Sequence, residues 1–243
     1  PFAVSKSYNK ERNKGARMIS KTVEPQYEIC LNVESKAGRA RLGLMSNQVW
    51  HDDPKRLLFV LSRYKFVSKM LSGKKSVLEV GCSDAFCTRI VKQVIPNVVA
   101  VDIDPAFISD YALFGNSDDW GIDCRVHDIL TGPISEGFDG CYSLDVFEHI
   151  DPKYEDDFIV NSLGSLSSDG VMIIGMPSIE SQKYASAGSI AGHVNCKAGE
   201  SLKDLCEKYF KNVFMFSMND EVVHTGFFRM ANYIFAVCTN QKI

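Results

Sequence analysis

From residue 53 onward, apolar positions fall into two alternating patterns. Short dense runs such as Val77-Leu78-Glu79-Val80 and Val98-Val99-Ala100-Val101 have the length and β-branched content of buried strands. Elsewhere the apolar residues are spaced for a helix, as in Leu57, Leu61, Tyr64, Val67 and Leu71. The pattern predicts helix 54–72, strand 76–80, helix 84–95, strand 98–102, helix 105–114, strand 122–127, strand 138–144, helix 152–167 and strand 171–176. A connection containing Gly and Ser, 177–198, then leads to helix 200–209 and to strands 212–218 and 229–238. Asp53-Pro54, Asp104-Pro105 and Asp151-Pro152 mark three helix starts. In each pair the carboxylate can cap free N–H groups while proline suits the first turn. Gly73 supplies a stop.

Short strands alternating with helices predict an α/β fold, a parallel sheet doubly wound with helices on both faces. The last two strands follow each other without a helix and are expected to be antiparallel. The first part of the chain lacks sustained periodicity. The expected division is an arm over 1–42, partly extended or disordered, and one domain over 43–243.

Composition narrows this picture modestly. An apolar share of 45% and a charged share of 23% are ordinary for a globular protein. A net charge of -3 gives no general attraction to phosphate backbones, although residues 1–41 hold nine Lys/Arg against four Asp/Glu. A solvated arm is the favoured reading of that segment, and nucleic acid is disfavoured as a partner. No apolar run approaches the roughly twenty residues needed to span a bilayer. Several of the eight cysteines lie in strand-like runs, and Cys82-x4-Cys87 lacks the second pair of a zinc site. Reduced thiols and a cytoplasmic location are expected.

Ligands of open parallel sheets sit beyond the carboxyl ends of the strands, near the switch point. That rule selects Glu79, Gly81, Cys82, Ser83 and Asp84 after the first strand, and Asp102 with Ile103 after the second. Asp128 and Ile129 follow the third, and Asp145 to His149 the fourth. Gly81 lets backbone approach a ligand, Asp102 can accept both hydroxyls of a ribose, and Asp128 can accept from an adenine amino group with Ile129 against the ring. Glu79 can orient the turn or one end of the ligand. A dinucleotide site would need glycines at 81, 83 and 86, but Ser83 and Phe86 occupy two of these positions.

The series Glu79-x-Gly81-x-Ser83-x-Ala85, then Asp102, Asp128 and Asp145-Val146-Phe147-Glu148-His149, resembles the class I S-adenosylmethionine-dependent methyltransferases across roughly residues 54–238. The ubiquinone-biosynthesis, sugar and natural-product members are the most similar. The resemblance implies a Rossmann-like, seven-stranded, mostly parallel sheet with a reversed last strand. It also implies S-adenosylmethionine as cofactor, S-adenosylhomocysteine as product, and a cofactor site at Glu79, Gly81, Cys82, Ser83, Asp84, Asp102, Ile103, Asp128, Ile129 and Asp145. The family usually carries three glycines in this loop, and here Ser83 and Ala85 replace two of them.

Methyl transfer needs alignment and the removal of one proton, so His149, His193 and His224 are the candidate catalytic bases. Arg63 is a candidate contact for the cofactor carboxylate or the acceptor, whereas Tyr64 reads as core. The three histidines with Asp145 and Glu148 could assemble a metal site, but no metal is expected, because no two of the histidines have a ligand-like local spacing. The fourth-strand loop lacks the Asn/Asp-Pro-Pro-aromatic motif of related enzymes that methylate base amines or glutamine amides. A small-molecule or glycan acceptor is expected, with O-methylation of a sugar in polysaccharide or small-molecule biosynthesis foremost. A phenol or amine, then RNA held by the basic arm, then an inactive cofactor-binding module follow. A homodimer is left open.

Overall fold

The computed structural model describes residues 21–114 and 120–242. Its strands are β1 (Ser76–Val80), β2 (Asn97–Asp102), β3 (Asp123–Val126), β4 (Phe138–Leu144), β5 (Leu166–Pro177), β6 (Phe210–Asn219), β7 (Val222–His224) and β8 (Tyr233–Gln241). They form one sheet in the order β3-β2-β1-β4-β5-β8-β6-β7. β1 lies between parallel neighbours, with Val77 opposite Val98 on one side and Gly140 on the other. The chain therefore builds β2 and β3 outward from β1, then returns to place β4 and β5 on the opposite side. The gap between the β1 and β4 loops is the topological switch point. β8 runs antiparallel to both β5 and β6, giving the reversed last strand.

The helices are α1 (Glu28–Ala37), α2 (Leu44–Asp52), α3 (Pro54–Met70), α4 (Thr88–Lys92), α5 (Pro105–Phe114), α6 (Glu155–Gly164), α7 (Ala187–Gly192) and α8 (Gly199–Glu207). Successive strand residues point to opposite faces, so one strand feeds two cores. Leu78, Val99 and Ile174 pack with Phe158 of α6 and Leu202 of α8. Val77, Val98 and Ile173 pack with Leu57, Tyr64 and Val67 of α3 and Val91 of α4. The Asp-Pro pairs act as expected: Asp53, Asp104 and Asp151 accept from Lys55 N, Ala106 N and Lys153 N.

Several boundaries differ from the sequence expectation. Helix 84–95 contracts to α4, because Ser83 and Ala85 adopt φ of 50° and 53° and keep the preceding residues in a turn. Helix 152–167 becomes a 3-10 turn, Pro152–Tyr154, followed by α6. The final run begins with a 3-10 turn, Phe228–Met230, before β8. β7 adds an eighth strand as a short hairpin with β6. The chain divides into two units, Pro1–Ala40 and Arg41–Ile243. In the first, α1 forms where no element was expected. It buries none of its residues, and Ile29 and Val33 on it are exposed. The rest of the expected arm, before residue 21, lies outside the described residues.

Candidate active site

The β1 loop is shaped by one close approach. Gly81 has φ 82°, and a Cβ there would lie 2.1 Å from Val146 Cγ2 in the β4 loop. The two loops that border the switch point therefore touch at Gly81. The N–H groups of Gly81 and Cys82 both donate to Val101 O, folding the turn over the end of β2. Ser83 N donates to Asp102 Oδ2 at 2.7 Å, and Asp104 N to Oδ1 at 2.9 Å. Each Asp102 oxygen thus has one backbone donor and keeps a lone pair for a ligand hydroxyl. Ser83 Oγ is buried without a hydrogen-bond partner, and the Ile103 side chain beside Asp102 is 65% exposed. A polar orphan, an anchored carboxylate and a bare apolar side chain fit the sugar and ring of an adenosine.

Other candidates are placed differently. Glu79 is 1% exposed and turned inward, where it accepts from Tyr64 Oη, Thr88 Oγ1 and Tyr142 Oη at 2.6, 2.6 and 2.7 Å. Its carboxylate joins α3, α4 and β4, and burial pushes its pKa up despite the three hydroxyls. Asp84 accepts from Ser46 N and Ser46 Oγ, so its carboxylate caps the first turn of α2. Gly43 makes that approach possible, since a Cβ there would lie 2.3 Å from Asp84 Cβ. Cys82 is buried, and hydrogen bonding with Cys124 together with burial pushes its thiol pKa up. Asp128 caps the 3-10 turn Ile129–Thr131 through Leu130 N, and the Ile129 side chain is buried in the core. The side chains of Glu79, Asp84, Cys82 and Ile129 are thus turned inward, with Glu79 orienting the turn.

At the other side of the crevice, Arg63 Nη1 donates to both oxygens of Asp145, at 2.8 and 2.6 Å. The guanidinium stacks 3.9 Å above the Tyr233 ring. Asp145 has φ 57° and is held by Gly175 O through its own N–H. Arg63 Nε, Tyr233 Oη and Glu148 Oε2 are buried without hydrogen-bond partners. Burial and the Asp145 carboxylate push the Glu148 pKa well up. Arg63 and Tyr233 also line a pocket with Phe59, Met218, Asp220 and Asn232.

His149 follows Glu148 on a 3-10 turn, Phe147–His149. Val194 N and Asn195 N both donate to Glu148 O, which clips the 193–195 segment against this turn. The result is a His149–His193 ring pair with centroids 5.0 Å apart. Burial and the neighbouring His149 hold the His193 pKa below its ordinary value. His224 does not join them. It lies on the edge strand β7, and its ring nitrogens meet Asn219 Oδ1 and Gly226 N within the same hairpin. Both ring nitrogens of His224 are thus occupied within that hairpin. Residue types alone did not single out Gln182, Asn195 or Tyr233 for the site, because their roles depend on partners remote in sequence.

Residues 78–174 match the family described as "Methyltransferase domain". The structure is similar to the N-methyltransferase NodS from Bradyrhizobium japonicum WM9 in complex with S-adenosyl-L-homocysteine, with a TM-score of 0.59 at 16% identity, over 79% of this chain and 90% of that one. It is also similar to the DhpI–SAH complex, with a TM-score of 0.56 at 12% identity, over 80% and 88%. An O-methyltransferase family protein from Burkholderia thailandensis aligns with a TM-score of 0.56 at 11% identity, over 88% and 69%. None of the curated proteins matches the sequence. The methyltransferase-domain match thus covers residues 78–174, and the fold is that of the class I S-adenosylmethionine-dependent methyltransferases. No helix among the described residues is long and apolar enough to cross a membrane.

Proposed function

We propose that this methyltransferase moves the methyl group of S-adenosylmethionine to a hydroxyl oxygen of a sugar or glycan acceptor, in cytoplasmic polysaccharide or small-molecule biosynthesis. The observation that carries the reading is the meeting of three loops at the switch point: Gly81 against Val146, Ser83 bonded to Asp102, and the His149–His193 pair beyond β4. Asp102 is assigned to the ribose hydroxyls, the Gly81–Ser83 backbone and Ser83 Oγ to the adjoining part of the cofactor, and Ile103 to the adenine. When bound, the cofactor supplies a methyl group activated by its sulfonium.

The protein's own work is alignment and proton management. Arg63 is locked by Asp145 and Tyr233, and with Asp220 and Asn232 it gives the adjoining pocket hydrogen-bonding groups suited to a hydroxylated acceptor. The His149–His193 pair marks where the acceptor proton leaves. All eight cysteines are free, in keeping with a reducing compartment.

Calorimetry with S-adenosylmethionine tests the cofactor assignment. Asp102→Ala is expected to weaken binding by about 1–3 kcal/mol, the cost of unpaired ligand hydroxyls. His149→Ala should leave that affinity near normal and cut turnover about 100-fold on a sugar acceptor. Methyl transfer confined to phenols or amines in a panel of acceptors would refute the sugar assignment.

A further inference from the structure

The His149–His193 pair is completed by a third group. Among the described residues, a carboxylate oxygen of Glu148 and one ring nitrogen each of His149 and His193 all lie within 4.8 Å of one another. Two atoms bound to one ion at about 2.0–2.2 Å each stand at most about 4.4 Å apart, so side-chain closure of a few tenths of an ångström brings all three onto one ion.

Three independent features orient these groups as ligands. His149 Nδ1 lies 2.9 Å from Gly192 O, which can only accept, so this nitrogen carries a proton. His193 Nδ1 lies 2.8 Å from Gln182 Oε1. The Gln182 amide is itself oriented by donation from Nε2 to Ser178 O and Ser181 Oγ, so its oxygen faces the histidine. With Nδ1 committed to a carbonyl-type acceptor, Nε2 is the nitrogen that each imidazole offers to a metal, and such bracing is the usual support of metal-ligating histidines. The third feature is Glu148: it is 1% exposed, and its Oε2 has no hydrogen-bond partner. A buried oxygen left bare is costly unless a ligand meets it.

We propose that Glu148, His149 and His193 bind one divalent first-row transition cation, which activates the acceptor hydroxyl. Two imidazoles and one carboxylate favour such an ion over magnesium or calcium, which prefer oxygen ligands throughout. Three protein ligands leave coordination positions open, and two adjacent hydroxyls of a sugar can fill them. This role rests on the proposed methyl transfer. The cation polarises the acceptor O–H, whose proton passes to water. The acceptor oxygen bonds to the methyl carbon as the carbon–sulfur bond breaks, and its electron pair stays on sulfur. In this arrangement His149 is a ligand, and water takes the proton in its place.

The test uses the full chain, free of any histidine tag, stripped with a chelator and titrated by calorimetry with Mn²⁺, Co²⁺ and Zn²⁺ in turn. One equivalent of at least one ion is expected to bind. His149→Ala, at an exposed position, and His193→Ala should each weaken that binding about tenfold or more. Gln182→Leu, which removes only the brace, should weaken it by about tenfold. The Co²⁺ visible spectrum should change in the histidine variants, while thermal melts check that each still folds. Absence of binding by the unaltered chain, equal binding by all three variants, or turnover indifferent to the chelator would overturn the cation site. Calorimetry with S-adenosylmethionine on the same stripped protein separates the two readings. Cofactor binding without cation binding refutes only the cation, and cation binding without cofactor binding refutes the methyl donor.

Discussion

Single side chains settle the shape of the crevice. Gly81 meets two demands at once, a φ of 82° and space for Val146. Gly81→Ala is therefore expected to lower stability by about 2 kcal/mol or more, from left-handed strain plus overlap. Adding Val146→Ala removes the 2.1 Å contact and leaves the next at 3.3 Å, so urea denaturation should show partial recovery. Full recovery would mean that the backbone conformation costs nothing. Ser83 and Ala85 also stand at positive φ, where the resemblance leads one to expect glycine. The places of Gly81 and Asp102 at strand ends were legible in sequence. The engagement of Asp84 with Ser46 was not, since an aspartate in a turn reads the same whether it caps its own segment or a remote helix.

Among secondary-structure elements, Glu79 is the tie. One carboxylate accepts hydroxyls from α3, α4 and β4, so replacement by leucine would orphan three buried groups and cost about 3 kcal/mol or more. Glu79→Gln keeps the shape and isolates the charge. Because burial raises the folded pKa of Glu79 above 4.5, the native state retains a proton that the unfolded chain has released. Its contribution to stability is thus full below the ordinary carboxylate value and declines as pH rises through the folded value. Glu79→Gln should remove that decline, and denaturation midpoints measured from acid to neutral pH would reveal an unchanged slope if it does not. Periodicity located β1 to β6, β8 and the helices α3 to α6 and α8, but it missed α1, α2, the short α7 and the edge strand β7. α2 buries only Ser46 and Val49, and α1, α7 and β7 bury no residue, so burial leaves little pattern on these segments.

For the whole molecule, the crevice exists only while β1, β2 and β4 stand side by side. The unfolded chain therefore has no competing site, and S-adenosylmethionine at about 100 times its dissociation constant should add about 2.7 kcal/mol to unfolding. For a domain of this size that is a rise of roughly 5–10 °C in the melting midpoint, and a flat calorimetric scan would contradict the assigned cofactor. Strand-end chemistry and the alternation of strands and helices were readable in order along the chain, because each is imposed by burial over a few consecutive residues. Pairing His149 with His193 and baring Glu148 beneath them was not, because it depends on segment 193–195 docking its N–H groups onto Glu148 O. Contacts between segments far apart in the chain leave no local pattern, and they arise only when the sheet brings those segments together.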